Sequence, residues 1–358
     1  MITQLSINGY KSIRSQDIQL EKVNILIGGN GIGKTNFISC FELMRNLYEK
    51  NLQNYVIMKG GADALLFMGR KTTPEVTLDL HFDRDGNKNR YIVELAESQN
   101  RLFVKQASTA FWSNRWHFQL CDKDVLEASL KDDRKGQAWY VGPLLEEFEI
   151  YHFHDTGDRS EMKKPSNIND NRFLRPDGSN IAAFLYYLQQ RHQKHFERIE
   201  HAVAAVSPFF ESFHLEPNRL NPELIDLEWM QKGAGNTYFN SNQLSDGSLR
   251  FICLATLLMQ PNPPKTILID EPELGLHPTA INMLAALIHK VNATSQIIIS
   301  TQSVNLINNF DPEDIIIVDR KDGASQFQRL QAEELNEWLE TYTLGEVWEK
   351  NIIGGRPF

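Results

Sequence analysis

The sequence predicts an α/β protein: a mixed β-sheet with crossover helices, interrupted by a long insertion that is part strand and part helix. Three observations predict it. A short β-branched run, Val23-Asn24-Ile25-Leu26-Ile27, is stopped by glycines and followed at once by residues at helical spacing. Past Ser241, strand and helix segments alternate, the pattern of a parallel sheet with crossovers. Between these parts, from about residue 74 to 153, strand-like runs dominate.

Taken in order, Ile2, Leu5 and Ile7 form a first strand that is expected to turn at Asn8-Gly9. Ile18 and Leu20 then lead into the buried strand at 23–27. Phe37, Ile38, Phe41, Leu43, Met44 and Leu47 follow a helical repeat from Lys34 to about Tyr48. The runs 76–82 and 91–95 flank Asp85-Gly86-Asn87 and read as a hairpin. The stretch 155–180 is polar and suits an exposed connection, and 181–206 is helical. The last part reads as helix 247–260, strand 265–269, helix 278–291, strand 296–300, a short helix near 303–309 and strand 314–319. Leu335 to Asn351, with Trp338 and Trp348, suits a pair of helices whose tryptophans pack on the core or meet a partner. No long heptad run occurs, so no coiled-coil arm is expected.

The 358 residues are 41% hydrophobic and 23% charged, enough for one large domain with an insertion or two domains sharing a core. No apolar run reaches the length of a membrane span. Met1-Ile2-Thr3-Gln4-Leu5 does not resemble a secretory leader. Cys40, Cys121 and Cys253 are too scattered for a disulfide framework or a metal pattern, so a cytoplasmic location is expected. The net charge of −9 counts against constitutive coating of DNA, while leaving room for a local basic groove.

Chemistry concentrates in a few motifs. Gly28-Gly29-Asn30-Gly31-Ile32-Gly33-Lys34-Thr35 matches G-x-x-x-x-G-K-[ST] in full, after a buried strand and before a helix. Its glycines let successive N–H groups converge on phosphate, and the helix start adds positive dipole. Lys34 is placed for the β- and γ-phosphates and Thr35 for Mg²⁺, which makes ATP and Mg²⁺ the expected ligands. A second apolar strand, Thr266-Ile267-Leu268-Ile269, ends in Asp270-Glu271-Pro272. Adjacent carboxylates at a buried strand end call for a cationic partner. Asp270 suits Mg²⁺, directly or through water, and Glu271 suits the attacking water. Between them, Leu244-Ser245-Asp246-Gly247-Ser248 precedes a helix, where Ser245 and the Gly247 backbone offer donors to phosphate or simply cap the helix.

The order of these motifs, followed by Leu274-Gly275-Leu276-His277-Pro278, resembles the ATP-binding cassette superfamily. Gly33-Lys34-Thr35-Asn36 and Gly9-Tyr10-Lys11-Ser12-Ile13 are similar to its RecF/SMC-like branch rather than to transporter subunits. Tyr151–Thr156, Leu174–Asn180 and Gly354-Gly355-Arg356-Pro357 look like stretches of small stand-alone bacterial ATPases in that group. The resemblance implies an ABC ATPase head: a phosphate-loop and signature core at 1–50 and 240–320, a β-rich and helical insertion at 51–239, and a C-terminal helical segment at 321–358. It adds Asn36 to the nucleotide contacts Asn30, Gly31, Gly33, Lys34, Thr35, Ser245 and Gly247. It also implies a homodimer, or a higher oligomer, with ATP between the loop of one copy and Ser245-Asp246-Gly247 of the other. Gln302 stands where the family generally carries a histidine that contacts the γ-phosphate. Glutamine cannot become cationic, so slow turnover is expected.

Weaker signals remain. His152 and His154 would share one face of a strand but lack further ligands at a recognisable spacing, which favours a structural role. Arg159, Lys163, Lys164, Arg172 and Arg175, and then Arg191, Lys194 and Arg198, are interleaved with acids and read as solvated surface rather than a nucleic-acid patch. Nothing resembles a nuclease centre. The resemblance therefore implies an ATP-driven switch that senses DNA or controls an effector nuclease from a neighbouring gene, many such ATPases serving in defence against phage. The alternatives are a RecF-like repair clamp and a non-catalytic, ATP-bound scaffold.

Overall fold

The computed structural model describes residues 1–133 and 135–356. Pro357, in one of the stretches noted above, lies outside the described residues. Along the chain run β1 (Ile2–Tyr10), β2 (Ile13–Gln19), β3 (Val23–Ile27), α1 (Lys34–Tyr48) and α2 (Leu52–Met58). Four long strands follow, β4 (Glu75–Arg84), β5 (Asn87–Ser98), β6 (Arg101–Ser113) and β7 (Arg115–Val125), then α3 (Ala138–Glu146) and β8 (Phe148–Tyr151). Next come β9 (Ser166–Asn167), α4 (Ile181–Arg191), α5 (Gln193–Val206), β10 (Phe210–His214), β11 (Leu224–Ile225), β12 (Glu228–Gln231) and β13 (Tyr238–Asn240). The chain then forms α6 (Asp246–Met259), β14 (Thr266–Asp270), α7 (Pro278–Val291), β15 (Gln296–Thr301) and α8 (Val304–Ile307). It ends in β16 (Ile315–Lys321), β17 (Ala324–Arg329), α9 (Asn336–Leu339) and α10 (Leu344–Glu349).

By their contacts these residues fall into two compact units. The first comprises Met1–Ile150, Lys265–Leu268 and the chain from Gln296 onward; the second comprises Tyr151–Pro264 and Ile269–Ser295. The boundaries at 50, 240 and 320, drawn from motifs, do not coincide with these contact boundaries.

Two six-stranded sheets build the first unit, in the orders β2-β1-β4-β5-β6-β7 and β17-β16-β3-β15-β14-β8. The first is antiparallel at each of its five pairings, β2–β1, β1–β4, β4–β5, β5–β6 and β6–β7. The second is mixed: β3 runs parallel to β15 and β16, while β17 is antiparallel to β16. One hydrophobic core joins Leu78 and Leu80 of the first sheet, Phe37 and Phe41 of α1, and Leu26, Ile298 and Ile316 of the second sheet. Phe41 meets Phe37 and Phe148 edge to face, at 5.5 and 5.7 Å between ring centres. Helix α1 is therefore apolar on most of its circumference, as a helix enclosed on several sides must be. That packing fixes where its N-terminus emerges.

The structure corrects three local expectations. Asn8-Gly9 is not a turn: β1 continues to Tyr10 and the chain reverses at Lys11-Ser12. Gly9 has φ 75°, and a Cβ there would lie 2.4 Å from the Glu75 carbonyl oxygen, so it serves a close approach to β4. The helical stretch 181–206 breaks at His192 into α4 and α5. The expected helical segment 321–358 begins instead with strand β17, reached through Asp322-Gly323 at φ 51° and 76°. Its residues, Ala-Ser-Gln-Phe-Gln-Arg, lack an apolar repeat because β17 is an edge strand. The β4–β5 hairpin turns, as expected, at Asp85-Gly86, whose φ values of 55° and 84° suit a type I′ turn.

In the second unit α6 packs against α5 and α7, and β10, β12 and β13 form a three-stranded sheet around Trp229. Among the described residues no helix is long and apolar enough to cross a membrane.

Candidate nucleotide site

Ile27 pairs with Thr301 in parallel register, so the glycine loop after β3 and Gln302 after β15 leave one edge of the same sheet. Ile317 of β16 pairs with Ile27 on the other side. The loop's glycines answer to separate demands. A Cβ on Gly28 would lie 2.5 Å from the Val318 carbonyl oxygen. Gly31 is exposed, with nothing near a Cβ, and is required by its φ of 74°. Gly33, at φ 122°, would drive a Cβ to 2.2 Å from Ser325 Oγ and 2.9 Å from Ser12 Oγ.

Behind the loop these two serines form a brace. Ser325 Oγ donates to Ser12 Oγ at 2.7 Å, Asn36 Nδ2 donates to the same oxygen at 2.7 Å, and Ser325 Oγ also reaches the Ile32 carbonyl. Lys34 is buried and donates from Nζ to the carbonyls of Gly28 (2.7 Å) and Gly29 (3.0 Å). Asn30 and Thr35 are exposed, and Asn36 is half-buried.

Gly33 is the N-cap of α1 and, having no side chain, makes no side-chain cap bond. A fifteen-residue helix thus opens onto the loop, and a helix N-terminus in this position is suited to phosphate oxygens. A cavity of about 560 Å³ adjoins it, lined by Lys11, Ser12, Asn36, Lys59, Phe67 and Arg320. A larger groove of about 950 Å³, between the β4–β5 hairpin end and α3, contains none of the candidate residues.

The other candidates lie in the second unit. Asp270, half-buried, is the last residue of β14. Glu271 holds a left-handed backbone, φ 42°, and its carbonyl accepts the Leu274 N–H at 3.3 Å. Ser245 is exposed and caps α6, accepting from Ser248 N–H at 3.1 Å. The capping geometry is thus present in the single chain, and the exposed hydroxyl stays accessible from outside. Gly247 faces Gly275 so closely that a Cβ would lie 2.3 Å from the Gly275 carbonyl oxygen. The signature turn and the segment 274–278 therefore meet backbone to backbone.

One residue here escaped the sequence reading. Arg250 of α6 is buried and donates to the carbonyls of Phe153 (2.8 Å) and His154 (3.1 Å). Phe153, His154, Arg250, Asp270 and Glu271 line one small cleft. Burial holds His154 below the usual histidine range, opposed by Asp270 and Glu271 and reinforced by Arg250 and His152. His152 and His154 are half-buried, their ring centres 6.3 Å apart, with Tyr151 and Phe153 buried in alternation. Among the described residues no group of three or more His, Cys, Asp or Glu side chains is placed to hold a metal by itself. Lys163 and Arg175, from the basic stretch, pair with Asp246 (3.6 Å) and Asp170 (2.6 Å).

Residues 23–308 match the family model described as "AAA domain, putative AbiEii toxin, Type IV TA system". A stretch of 81 residues, 23% of this chain, is 36% identical to ABC transporter A family member 11 of Dictyostelium discoideum. That match spans only 10% of the Dictyostelium protein. Two solved structures are similar over nearly the whole chain. The SMC head bound to the C-winged helix domain of ScpA superposes with a TM-score of 0.60 at 20% identity, covering 94% of this chain and 99% of that one. The Smc head domain with an extended coiled coil, bound to the C-terminal domain of ScpA derived from Pyrococcus furiosus, gives 0.57 at 17% identity, covering 95% and 98%. At such identities the likeness is one of fold. The chain belongs to the AAA-domain family so described, and its fold is that of SMC heads.

Proposed function

We propose that the chain binds and hydrolyses ATP as a cytoplasmic homodimer, a nucleotide-driven switch that controls an effector nuclease from a neighbouring gene in defence against phage. The observation that carries the ATP reading is a loop set at the start of α1 whose glycines at 28 and 33 leave no room for a side chain, with Lys34 held on its carbonyls. The triphosphate lies along Asn30, Gly31, Gly33, Lys34 and Thr35, and the base and ribose occupy the adjoining cavity beside Ser12 and Asn36. Thr35 and Asp270 are the residues that would hold Mg²⁺, which supplies charge neutralisation for the phosphates. Glu271 orients the attacking water, and Gln302 hydrogen-bonds the terminal phosphate without carrying charge. Ser245 and Gly247 of a second copy close the site. The family description, worded around a toxin–antitoxin system, supports a role exercised through a partner.

The test compares the wild type with Glu271→Gln for turnover, alone and with the products of adjacent genes. Loss of turnover by about 100-fold or more, with ATP still bound, is expected. In plaque assays Lys34→Ala should abolish protection by the same gene set. ATP binding without turnover, even with the partner present, would replace the switch by a scaffold.

A further inference from the structure

The last described residues return to the phosphate loop. Gly29 N–H donates to the Gly355 carbonyl at 2.8 Å. The carbonyl of the same Gly29, with that of Gly28, accepts the Lys34 ammonium. Gly29 is thus held from both sides, by the C-terminal segment through its N–H and by the lysine through its oxygen. The fit excludes side chains. Gly355 has φ 73°, and a Cβ on it would lie 2.8 Å from Ile317 Cγ2 and 2.9 Å from the Val318 carbonyl oxygen. That oxygen is the one a Cβ on Gly28 would strike. Three backbones, at 28, 318 and 355, therefore stack without a side chain between them.

The other end of the segment is anchored near Gln302. Thr343 and Glu346 form a capping box at the start of α10. Gly345 N–H donates to Asn308 Oδ1 at 2.7 Å, and a Cβ on Gly345 would lie 2.4 Å from Val304 Cγ1 of α8. Helix α8 is capped by Ser303, the residue after Gln302. Val347 and Trp348 are buried between these two anchors.

We propose that residues 343–355 are a strap that positions the phosphate loop, with Gly355 as its positioning residue. The inference rests on the reading of Gly28–Thr35 as the ATP site. The strap supplies no donor to phosphate; it keeps Gly29 oriented so that the loop carbonyls hold Lys34 in place before nucleotide arrives. When only a fraction of molecules holds the competent loop, apparent affinity falls by that fraction, while the saturated complex is unaffected. The signature of the strap is therefore a change in binding and KM, with kcat preserved.

The experiment introduces Gly355→Val into the full chain. ATP and ADP affinities by calorimetry, KM, kcat and amide exchange across residues 28–35 without nucleotide are measured. About a tenfold or greater rise in both Kd values and in KM is expected, with kcat within about twofold and faster loop exchange. Gly355→Asn, whose side chain tolerates a left-handed backbone, should fall between wild type and Val. A variant with lowered kcat at unchanged KM would mean a loss of folded protein only and overturn the strap. So would unchanged loop exchange in both variants. If the wild type binds no nucleotide, the ATP reading fails, while the exchange comparison still decides the strap.

Discussion

Glu271 sits at φ 42° on a residue with a full side chain, a backbone state that costs about 1–3 kcal/mol wherever its surroundings impose it. Glycine there would relieve the strain and remove the carboxylate together. Glu271→Gly should therefore raise the unfolding free energy by about 1 kcal/mol in urea titration while abolishing turnover. Glu271→Gln, which keeps the strain, should unfold like the wild type. Gln302 carries the complementary prediction: because glutamine cannot become cationic, Gln302→His should hydrolyse ATP faster in a steady-state assay, and equal rates would sink the expectation of slow turnover. Lys34, Thr35, Asp270 and Glu271 could be singled out as candidates because contiguous residues with the right flanks mark them. Ser12 and Ser325, 313 positions apart, were not, because a brace made only in the folded chain leaves no local pattern. Arg250 was hidden for a similar reason: on α6 it reads as a polar interruption, and its partners are backbone carbonyls at 153 and 154.

At the scale of elements, periodicity served where burial is strong and failed where a strand is polar. Helix α7 was legible to the residue, since Pro278 opens it and its apolar face is regular. The strand β17 was not, having no apolar repeat, although Asp322-Gly323 is a hairpin turn of the same kind as Asp85-Gly86. The β4–β5 hairpin also carries a measurable electrostatic contribution. Burial alone would push the Asp79 carboxyl upward; hydrogen bonds from His81 and Arg90 outweigh it and hold the group below the usual carboxylate range. A depressed folded value means that the stabilisation is complete above the unfolded value of about 3.9 and is lost as pH falls from there through the lower folded value. The gap in urea midpoint between wild type and Asp79→Asn should therefore be present at pH 7 and shrink toward pH 3. A gap independent of pH would assign the effect to packing.

For the whole molecule, the question is what the exposed start of α6 meets. Ser245 points its hydroxyl at the helix it caps, and Gly247 has no room for a side chain against Gly275, so this turn is rigid and polar. A turn held by such contacts, with the Ser245 hydroxyl exposed, needs only to redirect that hydroxyl from Ser248 Oγ to meet phosphate presented by a second copy, and ordering costs at such an interface stay small. In the proposed clamp the two copies would join only while ATP is present, and hydrolysis would remove the group that both share. Glu271→Gln, which retains ATP, should accordingly double in mass on adding Mg-ATP in sedimentation or light scattering and revert when ATP is withdrawn. Ser245→Arg places a bulky charge on the surface proposed to face the second copy. Added to Glu271→Gln, it should leave nucleotide affinity within about twofold and abolish the doubling, because the substitution acts only between copies. Doubling that survives Ser245→Arg would mean that the copies associate through another surface. Loss of nucleotide affinity in the same variant would mean that Ser245 acts within its own chain.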